Sequence, residues 1–320
     1  MKGNLKWKKD YGPEWYTNYT GPRSTPTITD GLLYFVSGRG VAFCMDTKSG
    51  EVIWKIDMFE NFGAQTTSWG IAESPLLDGD RIFLTPGGPE HNVVALDRFT
   101  GETIWTSKGN GEQSAYCSPI LVQHNNTRLI VTMTAESVLG IDAVYGQPLW
   151  RIAHKQGNKI NANSPVYAEG RIYSASGQAD TTKGHLMIEL SEDGRTAEAG
   201  WRNEEWFNLL GGIILHEDCL YSSTFDKKEW YCLDAGTGHL NYVSDQVAGG
   251  ATIFADGLFY CYGTDGVLAL IEANKDGCKV ISSFEVSLGS KEHWAHPVIH
   301  EQRLYVHHGD ALMCYNIADE

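Results

Sequence analysis

Basic residues are scarce in this 320-residue chain: 25 lysines and arginines face 40 aspartates and glutamates, a formal net charge of −15. Nucleic acid is therefore disfavoured as a partner, because phosphate backbones are held by clustered cations, and an anionic membrane surface is disfavoured on the same ground. No apolar run approaches the roughly 18 residues of a spanning helix, so no transmembrane segment is expected. Closely spaced cysteines are missing too. The seven, at 44, 117, 219, 232, 261, 278 and 314, form no CxxC and no adjacent pair. That spacing excludes a zinc ribbon and a c-type haem attachment. Several stand in strand-like contexts such as Phe43-Cys44-Met45, where cysteine acts as a small hydrophobe, so buried free thiols are expected. There is no GxSxG, no HExxH and no EF-hand loop. Met1 to Trp7 carries no apolar h-region and no small-residue cleavage site, which leaves open a cytoplasmic protein or a mature segment behind a new methionine.

What the chain has in abundance is glycine, 35 residues, with 42% apolar and 11% aromatic residues. Such a composition supports a large core and favours many short strands joined by tight turns. A recurring unit confirms the direction. Its opening is a small residue, proline and a short apolar run: Thr25-Pro26-Thr27-Ile28, Ser74-Pro75-Leu76-Leu77, Ser118-Pro119-Ile120-Leu121 and Ser164-Pro165-Val166-Tyr167. Weaker copies begin at Gly211, Gly250 and His296. The mean period is roughly 45 residues, in the range of a four-stranded propeller blade.

Within each unit a polar hairpin turn, such as Asp30-Gly31, leads to a second strand, and a third strand ends in aspartate. A glycine-containing turn then opens a fourth strand ending in tryptophan. Asp46 to Trp54, Asp97 to Trp105 and Asp142 to Trp150 are near-copies with glycine at 50, 101 and 146. Aspartate can accept from turn amides, glycine supplies the left-handed residue, and tryptophan at a fixed offset can pack between neighbouring units. Trp7, Trp54, Trp105, Trp150 and Trp201 are the predicted docking residues.

These motifs resemble the quinoprotein-like β-propeller family of PQQ-like repeats, whose docking motif reads Ala-x-Asp-x-x-Thr-Gly-x-x-x-Trp. Ala95, Asp97, Thr100, Gly101 and Trp105 match it in register. The resemblance covers essentially the whole chain. It implies fold and leaves function open, because the family includes quinone-dependent dehydrogenases and the outer-membrane assembly scaffold BamB.

The expected architecture is all-β: one domain over 1–320, a seven-bladed β-propeller of four-stranded antiparallel blades, with eight blades as the alternative. The last unit stops before a tryptophan strand, and Leu5-Lys6-Trp7-Lys8 looks like an isolated fourth strand. An N-terminal strand completing the last blade would close the ring and hide its edges. A monomer is expected.

Signatures of chemistry are few. A quinone-dependent dehydrogenase of the methanol type has a ring of adjacent cysteines, which this chain lacks. No metal is expected at His293/His296 or His307-His308, since neighbours along a strand face opposite ways. The segments preceding each first strand lie where propeller chains enter the central channel. They offer Arg23, Trp69, Glu73, Tyr116, Asn163, His293, Trp294 and His296 as a channel-mouth ligand site, where rings can stack on a sugar and carboxylates and amides can bind hydroxyls. A Glu73–Arg23 ion pair is the competing structural explanation of both charges. Tyr11 to Thr20, with Trp15, Tyr16 and Tyr19, reads as an aromatic connector packed over the ring. The expectation is a non-catalytic propeller, periplasmic or secreted as the resemblance implies, that binds a protein partner or a glycan. The alternative is an enzyme, either a PQQ-dependent dehydrogenase with calcium or a carbohydrate-active one. No cofactor is predicted for the leading reading.

Overall fold

A computed structural model describes residues 3–65, 67–154, 160–177, 184–225 and 227–318. The protein is an all-β, seven-bladed propeller, 2% helical. The blades span 27–57, 76–107, 120–153, 166–203, 214–244, 250–285 and 298–316. Six described sheets have four strands in chain order, and the seventh has three. Contacts divide the chain into two compact units, 1–155 with 189–198, and 156–188 with 199–320. Blades 1 to 3 belong to the first and blades 5 to 7 to the second.

Each blade is a meander because hairpin turns alternate with runs of apolar and β-branched residues. The middle strands are the buried ones: Tyr34, Val36, Ala42 and Cys44 of blade 1 are inaccessible, as are Ile82, Leu84, Val94 and Leu96 of blade 2. These eight share one core cluster with Trp54.

The turn into the fourth strand is the most regular local structure. Asp46 Oδ1 accepts the backbone N–H groups of Lys48 and Ser49, at 2.9 and 2.7 Å. Asp97 does the same for Phe99 and Thr100, and Asp142 for Val144 and Tyr145. Each turn then needs a left-handed residue, and Gly50, Gly101, Gly146 and Gly238 take φ of +71°, +77°, +73° and +72°. The same glycines admit a tryptophan ring from the preceding repeat. A Cβ at Gly101 would lie 3.0 Å from Trp54, one at Gly146 2.5 Å from Trp105, and one at Gly238 2.4 Å from Trp201. The indole N–H of Trp54 donates to Arg98 O at 2.8 Å, and that of Trp201 to Ala235 O at 3.0 Å. Trp105 departs from this pattern. Arg81 Nη1 already donates to Ala143 O and Val144 O, both at 2.9 Å, and the buried Trp105 N–H has no partner. Trp150 is buried, with its N–H likewise unpaired.

A second link joins blades 1 to 3 at the Ser-Pro openings. The Thr25 N–H donates to Ser74 Oγ, and the Ser74 N–H to Ser118 Oγ, at 2.9 and 2.8 Å.

The N-terminal strand expected to complete the last blade is not formed. Leu5 is 81% exposed, and residues 3–16 carry no strand. The physical reason is that this lysine-rich stretch is fixed through one ring. Trp7 donates its indole N–H to Thr47 O at 2.8 Å and lies 2.8 Å from where a Gly50 Cβ would stand. Trp7 thus repeats the docking of Trp54 without a hydrogen-bonded ladder.

Gly146→Ala should cost about 2–4 kcal/mol, combining a left-handed L-residue with a displaced ring. Trp54→Ala should cost about 3–5 kcal/mol as a large-to-small core change. Gly277 has open space around its Cβ position, so Gly277→Ala should stay within about 0.5 kcal/mol. Urea unfolding midpoints check all three, and equal midpoints for the two alanine-for-glycine variants would remove the ring-seating argument.

Candidate functional site

The connector between Trp7 and the first blade is held by a small set of side chains. Tyr11 packs edge-on against Phe35 and Phe43, with centroids 4.9 and 5.6 Å apart. Its hydroxyl donates to Glu14 Oε1, and Glu14 Oε2 accepts the N–H groups of Trp15 and Gly38, at 3.0 and 2.8 Å. Trp15 seats on two glycines: a Cβ at Gly38 or Gly70 would lie 2.8 or 2.9 Å from its atoms. Arg23 closes the loop by donating to Asn18 O, Tyr19 O and Gly21 O at 2.8, 2.8 and 3.0 Å. Half of the aromatic connector is therefore packing, as the sequence suggests. The other half faces solvent, with Tyr16 74% and Tyr19 54% exposed.

Three predicted site residues meet here. The Tyr19 ring lies 6.0 Å from Trp69, which is 36% exposed. The Tyr116 hydroxyl meets the Thr67 side chain and the backbone of Ser68 and Trp69, and burial raises its pKa. The Arg23 charge interacts with Tyr116 as well as with Glu14. Arg23, Trp69 and Tyr116 form one cluster around Tyr19.

Glu73 is not part of it. The carboxyl is 2% exposed and is enclosed by Thr85, whose N–H donates at 2.9 and 3.1 Å and whose hydroxyl donates at 2.5 Å. Desolvation pushes its pKa up to about 7, and the Thr85 bonds, which favour the carboxylate, oppose this only in part. The possible Glu73–Arg23 ion pair does not form, because Arg23 is committed to backbone carbonyls and Glu73 to Thr85. The repeat explains the difference. The residue two before the proline binds the end of the second strand. Ser24 Oγ accepts from the Val36 N–H, Glu73 from that of Thr85, Cys117 Sγ contacts Met133 O, and Asn163 Nδ2 donates to Ala175 O. Ser24, not Arg23, is the counterpart of Glu73. This register is visible in the Ser-Pro alignment, and it identifies Ser24 and Cys117 as the missed positions.

The remaining predicted residues belong to the second unit. Asn163 Nδ2 donates to Asn208 O at 2.8 Å, and its Oδ1 accepts the Gly212 N–H at 3.1 Å. His296 Cε1 lies 3.6 Å from the Cβ position of that same Gly212. The His296 ring is exposed, and desolvation lowers its pKa. His293 stacks on His308 at 3.7 Å and meets the Tyr262 hydroxyl at 2.5 Å. Burial and the His308 charge lower its pKa. Trp294 faces Phe225 at 6.2 Å. His307 is exposed and His308 buried, on opposite faces of their strand. The His308 ring nitrogens reach Leu288 O and Lys291 O at 2.7 and 2.9 Å. No group of three or more His, Cys, Asp or Glu side chains converges as metal ligands among the described residues.

The first unit holds an open cleft of about 600 Å³ between the connector, the Gly38–Val41 turn and the helix Met58–Phe62. The sequence offered one signal for it, the Gly38-Arg39-Gly40 turn that leaves a cation at a glycine-flanked tip.

Residues 1–242 match the family model described as outer membrane protein assembly factor BamB. The BamB of Kangiella koreensis is 33% identical over 86 residues, covering 27% of this chain and 19% of that protein. The quinoprotein ethanol dehydrogenase of Pseudomonas putida is 22% identical over 204 residues, 62% of this chain and 31% of that protein. The crystal structure of BamB from Moraxella catarrhalis superposes with a TM-score of 0.63 at 15% identity, over 91% of this chain and 81% of that one. The chain thus spans less than a third of these curated relatives' own lengths.

The Glu73 environment sets a pH dependence. The folded protein keeps a proton up to about pH 7 that an unfolded glutamic acid releases near 4.5. Stability is therefore full below the lower value and falls as pH rises through the upper one, by about 3 kcal/mol in all. Glu73→Gln keeps a neutral group against Thr85 and should flatten that loss. Urea melts at about pH 5 and about pH 8 should show the variant gaining on the parent by about 1–3 kcal/mol at the higher pH. A difference independent of pH would show that Glu73 does not titrate in this window.

Proposed function

Since the chain belongs to the outer membrane protein assembly factor BamB family of β-propellers, we propose that it is a non-catalytic, extracytoplasmic binding propeller. It holds a protein partner or a polar ligand against the loops of its first unit. The carrying observation is the Tyr19–Trp69 ring pair, with Tyr19 and Tyr16 exposed to water on a connector that Glu14, Trp15 and Arg23 fix in place. Large rings left in water on a rigid backbone are what recognition surfaces use, because little conformational entropy is lost when they are covered.

The placement of acids supports the same reading. A catalytic carboxyl has to reach its substrate. Glu73, the acid of the predicted site, is enclosed by Thr85 instead. A PQQ–calcium pair would require grouped carboxylate and amide oxygens. The residues around Trp69 supply rings, a guanidinium and backbone carbonyls, and do not fit that group. The quinoprotein relatives make the dehydrogenase the second reading, and one experiment separates the two. With PQQ and calcium added, the protein should show no alcohol- or sugar-dependent dye reduction. Trp69→Ala should abolish capture of a partner from envelope extracts while moving Tm by less than about 2 °C, as for a surface change. Dye reduction, or unchanged capture by the variant, would overturn the proposal.

A further inference from the structure

We infer that the cleft beside the connector is a binding site for a neutral saccharide chain. The inference rests on the binding reading above and names the ligand class. Three features of the cleft select it.

The first is that the cleft is built before any ligand arrives. The connector sits on Gly38 and Gly70, and a Cβ at Gly40 would lie 2.5 Å from the Phe59 ring that forms the opposite wall. Two backbone bonds, from Ile71 N–H to Gly38 O and from Met58 N–H to Gly40 O, both at 3.0 Å, tie the walls together.

The second is that the backbone of its three glycines is already spent. The Gly38 N–H donates to Glu14, that of Gly40 to Ser37 O, and that of Gly70 to Thr67 O. The Gly70 carbonyl accepts from the Thr67 hydroxyl at 2.6 Å. A peptide added as a strand reads free main-chain donors and acceptors, and those of the three glycines are taken. Recognition falls to side chains.

The third is the kind of side chain left over. Arg39, exposed at the tip of its turn, has no ion pair or hydrogen bond among the described residues. Glu60 is likewise exposed and unpaired in its side chain, and Asp57 uses only Oδ1, to cap the helix. One cation and two carboxylates in the same open cleft repel any polyanion, the more so in a chain of net charge −15. Hydroxyls both donate and accept, so a polyol satisfies guanidinium and carboxylate together without bringing charge. Trp15 and Tyr16 supply apolar ring surface in the same wall. A volume of about 600 Å³, open to solvent, suits several linked rings better than one enclosed metabolite.

Calorimetric titration of the full chain with cellohexaose, hexa-N-acetylchitohexaose and maltohexaose tests this, with hexagalacturonate as the acidic control and a neutral hexapeptide as the peptide control. At least one neutral hexasaccharide should bind with Kd below about 1 mM. Tyr16→Ala should weaken it about tenfold and Arg39→Gln about fivefold. Tyr145→Ala, 78% exposed on the Asp142 turn, should leave it unchanged. Both variants change solvent-facing side chains, so an unshifted Tm verifies their folding. Saccharide binding that ignores Tyr16 and Arg39, tighter binding of the acidic oligomer or the peptide, or no binding by any neutral hexamer would each overturn the inference. Partner capture that still depends on Trp69 would then show that only the ligand class had failed, whereas dye reduction with PQQ would remove the binding reading itself.

Discussion

The rest of the structure depends on an indole ring lying on a glycine. In the docking turns of blades 1, 2, 3 and 5 the chain needs a left-handed residue, and the ring needs the space where that residue's side chain would stand. Both demands fall on one position, and only glycine meets both. The aspartate four residues earlier holds the turn shut so that the glycine faces the ring. Repeat length follows from this coupling. The strand leading to the tryptophan must have a fixed reach, whereas loops on the opposite side of the blade are free to vary.

That freedom is where the candidate site arises. The connector, the Gly38–Val41 turn and the loop bearing Trp69 all lie outside the docking turns. Their glycines serve close approach of rings and backbone, so the surface is rigid even where it has no regular structure. Rigidity and exposure together distinguish Tyr16, Tyr19 and Trp69 from ordinary surface aromatics. Family membership alone does not choose among functions here, since relatives with a shared architecture carry different names and activities.

Blade number, strand order and the docking of Trp7, Trp54, Trp105 and Trp201 were legible in the sequence because each is written several times at a constant period, whereas Trp150 lies against Gly140 of its own blade. Asp97, Gly101 and Trp105 can be checked against Asp46, Gly50 and Trp54. The site was legible only where it repeats. Glu73 and Asn163 are buried and bonded to their own blades because they occupy the strand-binding position, a fact carried by the Ser-Pro register and passed over when the residues before each first strand were grouped as one channel-mouth site. The connector occurs once, so no second copy shows that Tyr11 and Trp15 turn inward while Tyr16 and Tyr19 turn outward. Leu5 to Lys8 was misread for the opposite reason. Its tryptophan follows the repeat, but its lysines supply no apolar strand to go with it.

The joint between blades 2 and 3 has a property of its own. Arg81 occupies the carbonyl that an indole claims at the neighbouring joint, and the Trp105 N–H lies against the same turn with nothing to bond. Two donors face one turn, and only the arginine is bonded there. Loss of the arginine would free that oxygen for the ring already seated beside it, so the damage would be partly repaired without any movement of the backbone. A repeat whose joints carry such spare donors can drift in sequence at one member of the pair while the other holds the blades together.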